Sequence, residues 1–429
     1  MSQAVVSENA SSSASQRPKG KEGSVLGSAV IVAGTAVGAG MFSLPVAASG
    51  LWFGYSMLFM IFCWYCMYSA ALYLLEANLR YPLGASFDTM AQGTIGNFGR
   101  VINGASVAFL CYTLTYAYIS GGSSIISYSL SAINDISLPP PAASFVFALI
   151  LSIVVIIGTR AVDRVSTILI GGMVVTFLWS ISGLIGNTST DRLWIDLSFI
   201  DAVPYSMGAL GFFTVSFGMQ TAVPSITRYM GKDATKIKTA LFSGSLLALF
   251  FYTLWQYSFF GNLSRDSFPA IIAAGGNIGN MLQALAETGL HISISTGLQW
   301  FANMAVASSF LGVAMCLFDY IADLFGFDDS FSGRLKTAAI TFIPPTVLGV
   351  FLPHGFITAI SFAGLFLVVF CILSPVIMAW IGRQRGEEGY LVSGGLFRMA
   401  LVFLFGIAAM VFAALDLAGV LPSFALTGS

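Results

Sequence analysis

Two short stretches of this chain set glycines, small hydroxyl residues and a proline inside otherwise apolar runs. The first is Gly34-Thr35-Ala36-Val37-Gly38-Ala39-Gly40-Met41, followed by Pro45. The second is Thr214-Val215-Ser216-Phe217-Gly218-Met219-Gln220-Thr221-Ala222-Val223-Pro224. Each glycine costs a helix roughly 1 kcal/mol against alanine, and proline ends or kinks it. A helix interrupted in this way bares backbone N–H and C=O groups, which at membrane depth are tolerated only where they line a cavity. A half-helix N-terminus attracts a carboxylate, and freed carbonyls attract an ammonium or a metal cation. One zwitterion, an amino acid, satisfies both demands. The first stretch also contains a GxxxG from Gly34 to Gly38, whose other reading is close helix packing.

The elements that must hold these stretches are membrane helices. Of 429 residues, 57% are hydrophobic and only 9% charged. A soluble protein carries about 25% charged residues. A bilayer core needs about 20 mainly apolar residues per helix. On that measure eleven spans are expected, near 24–49, 52–77, 103–132, 142–159, 165–186, 204–227, 237–261, 297–318, 335–352, 355–381 and 395–421. Residues 1–23 are polar and Ser-rich and read as a disordered cytoplasmic tail. The first span lacks a clean A-x-A cleavage site and reads as uncleaved. The loop from Asn262 to Thr296 is expected to carry a short surface helix.

Charge orients the spans. With the N-terminus inside, every basic residue except Arg192 and Arg265 falls on the inner side, out of 18 in all. The positive-inside rule demands such a bias, and one missed span would destroy it. The C-terminus then lies outside, and the membrane is expected to be the cytoplasmic (inner) membrane. The net charge of −1 gives no general attraction to nucleic acid. Both histidines, His291 and His354, fall in outward loops. Glu76, Asp319 and Asp323 lie toward inner helix ends, as salt-bridge partners of the basic loops or as part of an ion path. Five cysteines lie in apolar runs, and the Cys63–Cys66 pair has no second pair to complete a zinc site. No His lies in a span and no HExxH or GxSxG occurs, so an intramembrane enzyme is excluded.

The two interrupted spans, first and sixth, begin two five-helix halves, 24–186 and 204–381, with 395–421 as an eleventh helix. Paired broken helices at matching positions are the sequence mark of an inverted-repeat transporter. The chain further resembles the bacterial aromatic amino acid permeases, the tryptophan and tyrosine carriers. The resemblance spans nearly all of residues 24–423. It is carried by GTAVGAGMFSLP at 34–45, LEANLRY at 75–81, LTYAYIS at 114–120 and AVASSFLGVAMCLFDYIADLFGFDDS at 305–330. The helix-1 motif and the last stretch look more like the tryptophan carriers.

This resemblance implies an all-α, LeuT-like fold and symport of aromatic amino acids, tryptophan first, then tyrosine and phenylalanine, by alternating access. It places the substrate backbone at Gly38, Ala39 and Gly40, with the Tyr116 hydroxyl on the carboxylate. Phe213, Ser216, Gly218, Met219 and Gln220 would line the side-chain pocket, Gln220 reaching an indole N–H or a phenol. No obligate protein partner and no cofactor are implied. In the family a lysine on the fifth helix and a histidine in the sixth accompany proton symport. Here those positions are Met173 and Gln220. Sodium-coupled relatives of the fold imply instead a cation cage from the carbonyls of Gly34, Val37 and Ala305 and the hydroxyls of Ser308 and Ser309. Hard cations favour such oxygen donors. The serines could equally back-bond to their own helix. Sodium is the expected coupling ion, with the proton as alternative. The rival readings are an uncoupled exchanger or facilitator of the same fold and a membrane amino acid sensor.

Overall fold

The computed structural model describes residues 24–134 and 138–424; the expected tail at 1–23 lies outside them. The described residues contain helices and connections but no strand. In chain order these are α1 (Val25–Ala36), α2 (Ala39–Ala47), α3 (Trp52–Leu79), α4 (Phe87–Ile95), α5 (Asn97–Asn134) and α6 (Pro140–Ile157). There follow α7 (Thr159–Gly186), α8 (Thr190–Leu193), α9 (Phe199–Ser216), α10 (Val223–Met230), α11 (Ala234–Asn262) and α12 (Phe268–Ala273). The chain closes with α13 (Ile278–Glu287), α14 (Ile292–Phe325), α15 (Phe331–Phe351), α16 (Phe356–Val368), α17 (Ser374–Gln384) and α18 (Gly395–Leu417).

Eight helices among the described residues are long and apolar enough to cross a membrane, and the bent α1–α2 pair makes a ninth. The two further spans expected from sequence coincide with α5, of 38 residues, and α15, of 21. At about 1.5 Å per residue both have the length to cross. Their serines, prolines and terminal Arg or Lys set them apart in composition. Large apolar side chains such as Leu26, Ile168, Phe351 and Phe397 stand outward, from 72% to 81% exposed for Leu396 and Phe397. Such a belt is stable in lipid and not in water. The chain is a multi-pass membrane protein.

Local chemistry explains the corners. α6 starts on a proline run, with Pro139 as cap. It turns into α7 through Gly158 alone, whose φ of +132° few side-chain-bearing residues adopt. Arg334 then donates to the carbonyls of Val155 and Ile156 at the open end of α6, 3.1 and 2.9 Å away. In α16–α17 the proline Pro375 has no N–H to give, and the chain widens to a π-turn over Val369–Leu373.

The loop after α11 carries two short helices where one was expected; α13 lies at the surface with Gln283 and Glu287 exposed and Ile278, Met281, Leu282 and Leu285 buried. Its Gly279 N–H donates to Ser124 Oγ on α5 at 3.2 Å. The central core is aromatic. Phe42 meets Trp255 edge-on at 5.6 Å, and Phe301 packs against both.

Candidate functional site

The chain leaves helical geometry at both glycine-bearing stretches. α1 ends with Val37 N–H on Ala33 C=O at 2.9 Å, and the axis turns by 55° before Gly40–Ala47 continues. α9 ends with Phe217 and Gly218 donating to Thr214 and Val215, each at 3.2 Å. A short 3-10 turn over Gln220–Ala222 then leads into α10, which holds Pro224 in its first turn.

The two breaks lie against each other inside the bundle. A methyl added at Gly40 would stand 2.7 Å from Ser216 Cα and 2.9 Å from its N, so only glycine fits. The hydroxyl of Tyr252, on α11, completes the join. It lies 2.7 Å from the carbonyl of Ala36 and 2.5 Å from that of Ser216. These are the last carbonyl of α1 and the last of α9. Phe217 meets the Tyr252 ring edge-on at 5.2 Å, and both side chains are fully buried.

The other expected site residues are distributed around this junction. Gly38 opens toward α5 and α14: a methyl there would sit 3.5 Å from both Tyr118 Oη and Ser309 Oγ. Ala39 begins α2, and its side chain lies outside the described residues. Tyr116 points elsewhere, its hydroxyl donating to Leu352 C=O at 2.7 Å above Gly355. Phe213, Met219 and Gln220 are fully buried, and Ser216 Oγ donates to Phe212 C=O within its own helix. Gly218 faces Leu367 of α16. Gln220 donates through Nε2 to Met67 C=O at 3.1 Å, while its buried Oε1 has no partner.

On the other side of the first break lies an apolar cavity of about 260 Å³. Gly34, Val37 and Met41 line it together with Met173, Phe177, Phe251 and Phe301. Met173 thus shares one space with two of the carbonyl-bearing residues named for the cation. Ser308 Oγ donates to Ala305 C=O at 3.1 Å, the back-bond that sequence alone left open, and Ser309 approaches Gly38 instead. Among the described residues no three of His, Cys, Asp or Glu gather as a metal site. Cys63 and Cys66 are free and buried.

Glu76 is buried at the far end of α3 and fully partnered. Arg80 reaches it at 3.1 Å and Arg383 at 2.6 Å, and Val392 N–H donates to it at 2.8 Å. This is the salt-bridge reading of that carboxylate. Asp319 and Asp323 on α14 are exposed.

A model of the tryptophan/tyrosine permease family matches residues 21–413 of this sequence. The chain belongs to that family. The permease is 47% identical over 401 residues to the tryptophan-specific transport protein of Pseudomonas aeruginosa (strain UCBPP-PA14), covering 93% of this chain and 96% of the relative. It is 44% identical over 386 residues to the tryptophan-specific transport protein of Shigella flexneri, covering 90% and 93%. Against the tyrosine permease of Enterobacter agglomerans the identity is 36% over 409 residues, covering 94% and 98%. These relatives are transport proteins and not enzymes, and the family's aromatic amino acid transport is the activity to which the geometry belongs.

Nothing in the sequence singles out Tyr252, and Tyr118 stands in the LTYAYIS stretch at 114–120 without a sign that it, rather than Tyr116, faces the break. Each is one of 15 tyrosines in an apolar helix, and only the packing of α11 and α5 brings it to a break.

Proposed function

We propose that this permease is an ion-coupled symporter that imports aromatic amino acids, tryptophan in preference, across the bacterial cytoplasmic membrane by alternating access on a LeuT-like inverted repeat. The observation that carries this reading is the meeting of two interrupted helices, α1–α2 and α9–α10, inside the bundle. Peptide groups released from helical pairing there offer N–H for a carboxylate and C=O for an ammonium. The substrate backbone then lies along Gly38, Ala39 and Gly40. The unpartnered Oε1 of Gln220 is an acceptor for a ring N–H or a phenol, since a buried carbonyl without a donor costs about 1–3 kcal/mol. Names of the relatives favour tryptophan: three at 43–47% identity are tryptophan-specific transport proteins.

Sodium is the proposed coupling ion. Neither Met173 nor Gln220 can carry a proton, and Met173 brings no ammonium into the space beside Gly34 and Val37. The cation would take oxygens from those two residues, Ala305 and the two serines; the last three do not line that cavity, so Ser308 must give up its bond to Ala305 for the cage to form. Tryptophan uptake into proteoliposomes tests the coupling. A sodium gradient without a pH gradient should stimulate uptake, and Met173→Lys, which plants a fixed ammonium in the cavity, should remove the stimulation. Stimulation by a proton gradient alone would refute sodium. Counterflow without any concentrative uptake would refute coupling altogether, in favour of an exchanger.

A further inference from the structure

Breaking a helix leaves its last carbonyls without donors, and here one side chain meets the final carbonyl of both broken helices. Tyr252 Oη is 2.7 Å from Ala36 C=O and 2.5 Å from Ser216 C=O. α1 belongs to the first half of the chain and α9 to the second, so this hydroxyl bridges them where neither has a helical partner. Two features make the bridge rigid. Eight residues earlier on the same face of α11, Gly244 lies so close to Ala29 and Val32 of α1 that a methyl could not be added. At the other end, Phe217 closes on the tyrosine ring from the second break.

We propose that Tyr252 is a positioning residue of the transport site, fixing the peptide groups of both breaks at the spacing that an α-amino acid backbone requires. The proposal rests on the transport reading above. A phenol carries one proton, whereas both of its neighbours are acceptors. One proton therefore serves two carbonyls, shared or alternating between them, so both oxygens keep acceptor capacity for a positive group. The α-ammonium of a substrate lying along Gly38–Gly40 is such a group. The bridge would thus act on the backbone end of the ligand and leave the ring end untouched. That separates it from a residue that merely packs.

The test is equilibrium binding to the purified full-length protein of tryptophan and of indole, which has the ring but no backbone. In Tyr252→Phe, which removes one atom and keeps the Phe217 contact, tryptophan should bind about tenfold more weakly, as expected for a lost buried hydrogen bond. Indole should bind within about twofold of wild type, by the same conversion. If both ligands weaken together, or neither does, the proposal fails. Should Tyr252→Phe not fold, 3-fluorotyrosine placed at 252 keeps the hydroxyl and makes it a stronger donor. It should shift tryptophan affinity and not indole affinity, and unchanged tryptophan binding overturns the proposal. A wild-type protein that binds no aromatic amino acid overturns the transport reading itself. Normal wild-type binding with an unaffected variant overturns only the role of Tyr252.

Discussion

At Gly40 a single hydrogen decides whether the two breaks can touch. A methyl there would meet the backbone of Ser216, which no rotamer change relieves, and overpacking of this kind costs about 1–3 kcal/mol. Gly34, in the same motif, has nothing within 4 Å of a would-be methyl. Gly40→Ala is therefore expected to lower tryptophan uptake about tenfold or more, and Gly34→Ala to keep it near wild type, in the same proteoliposome assay. Ser216→Gly should not rescue Gly40→Ala, because the clash is with Cα and N as well as with the hydroxyl. Equal behaviour of the two alanine variants would mean that the contact with Ser216 is not what the motif is for. The glycines were legible in the sequence because their residue type alone announces a backbone role. Tyr252 was not, since a phenol in an apolar helix gives no sign of what it faces, and the LTYAYIS stretch does not say which of its two phenols faces the break. Tyr116 carries the family's motif, yet its hydroxyl is spent on Leu352.

At the scale of elements, the C-terminal end of α3 is tied by charge to α17 and to the stretch before α18. Glu76 of α3 accepts from Arg80, from Arg383 of α17 and from the backbone of Val392, which leads into α18. A carboxylate with no exposure is tolerated only when its charge and lone pairs are matched in this way. Removing one partner leaves the others buried and uncompensated, at about 3–5 kcal/mol. Glu76→Gln should accordingly lower the melting temperature of the purified protein by several degrees, and a shift of less than about 2 °C would show that the cluster holds little. The sequence located this carboxylate and its basic neighbours, because apolar runs end where charges begin. It could not say that the loop bearing Val392 folds back on α3, or that α13 tucks its apolar face inward, since both depend on contacts between segments far apart in the chain. The π-turn before Pro375 was equally hidden: the proline was visible, but not whether the helix would break, kink or widen around it.

For the whole molecule, the distribution of basic charge predicts an orientation that labelling can check. Between Asp196, ahead of α9, and Asp328, ahead of α15, the chain passes through α9–α10, α11 and α14. α12 and α13 also lie in this interval, but α13 has ten residues, about 15 Å of helix, half of what a bilayer core requires. Three crossings separate the two positions, so they must face opposite sides. The positive-inside rule predicts Asp328 inside, next to Arg334 and Lys336, and Asp196 outside. Cysteines introduced singly at these positions in a cysteine-free background should report it. Asp196→Cys should react with a membrane-impermeant maleimide in intact cells, and Asp328→Cys only after permeabilisation. The reverse pattern would overturn the orientation, and with it the direction of import. Labelling of both from one side would mean an even number of crossings. In that case either α13 enters the membrane or one interrupted helix fails to traverse it, and the two breaks could not face each other across an inverted repeat.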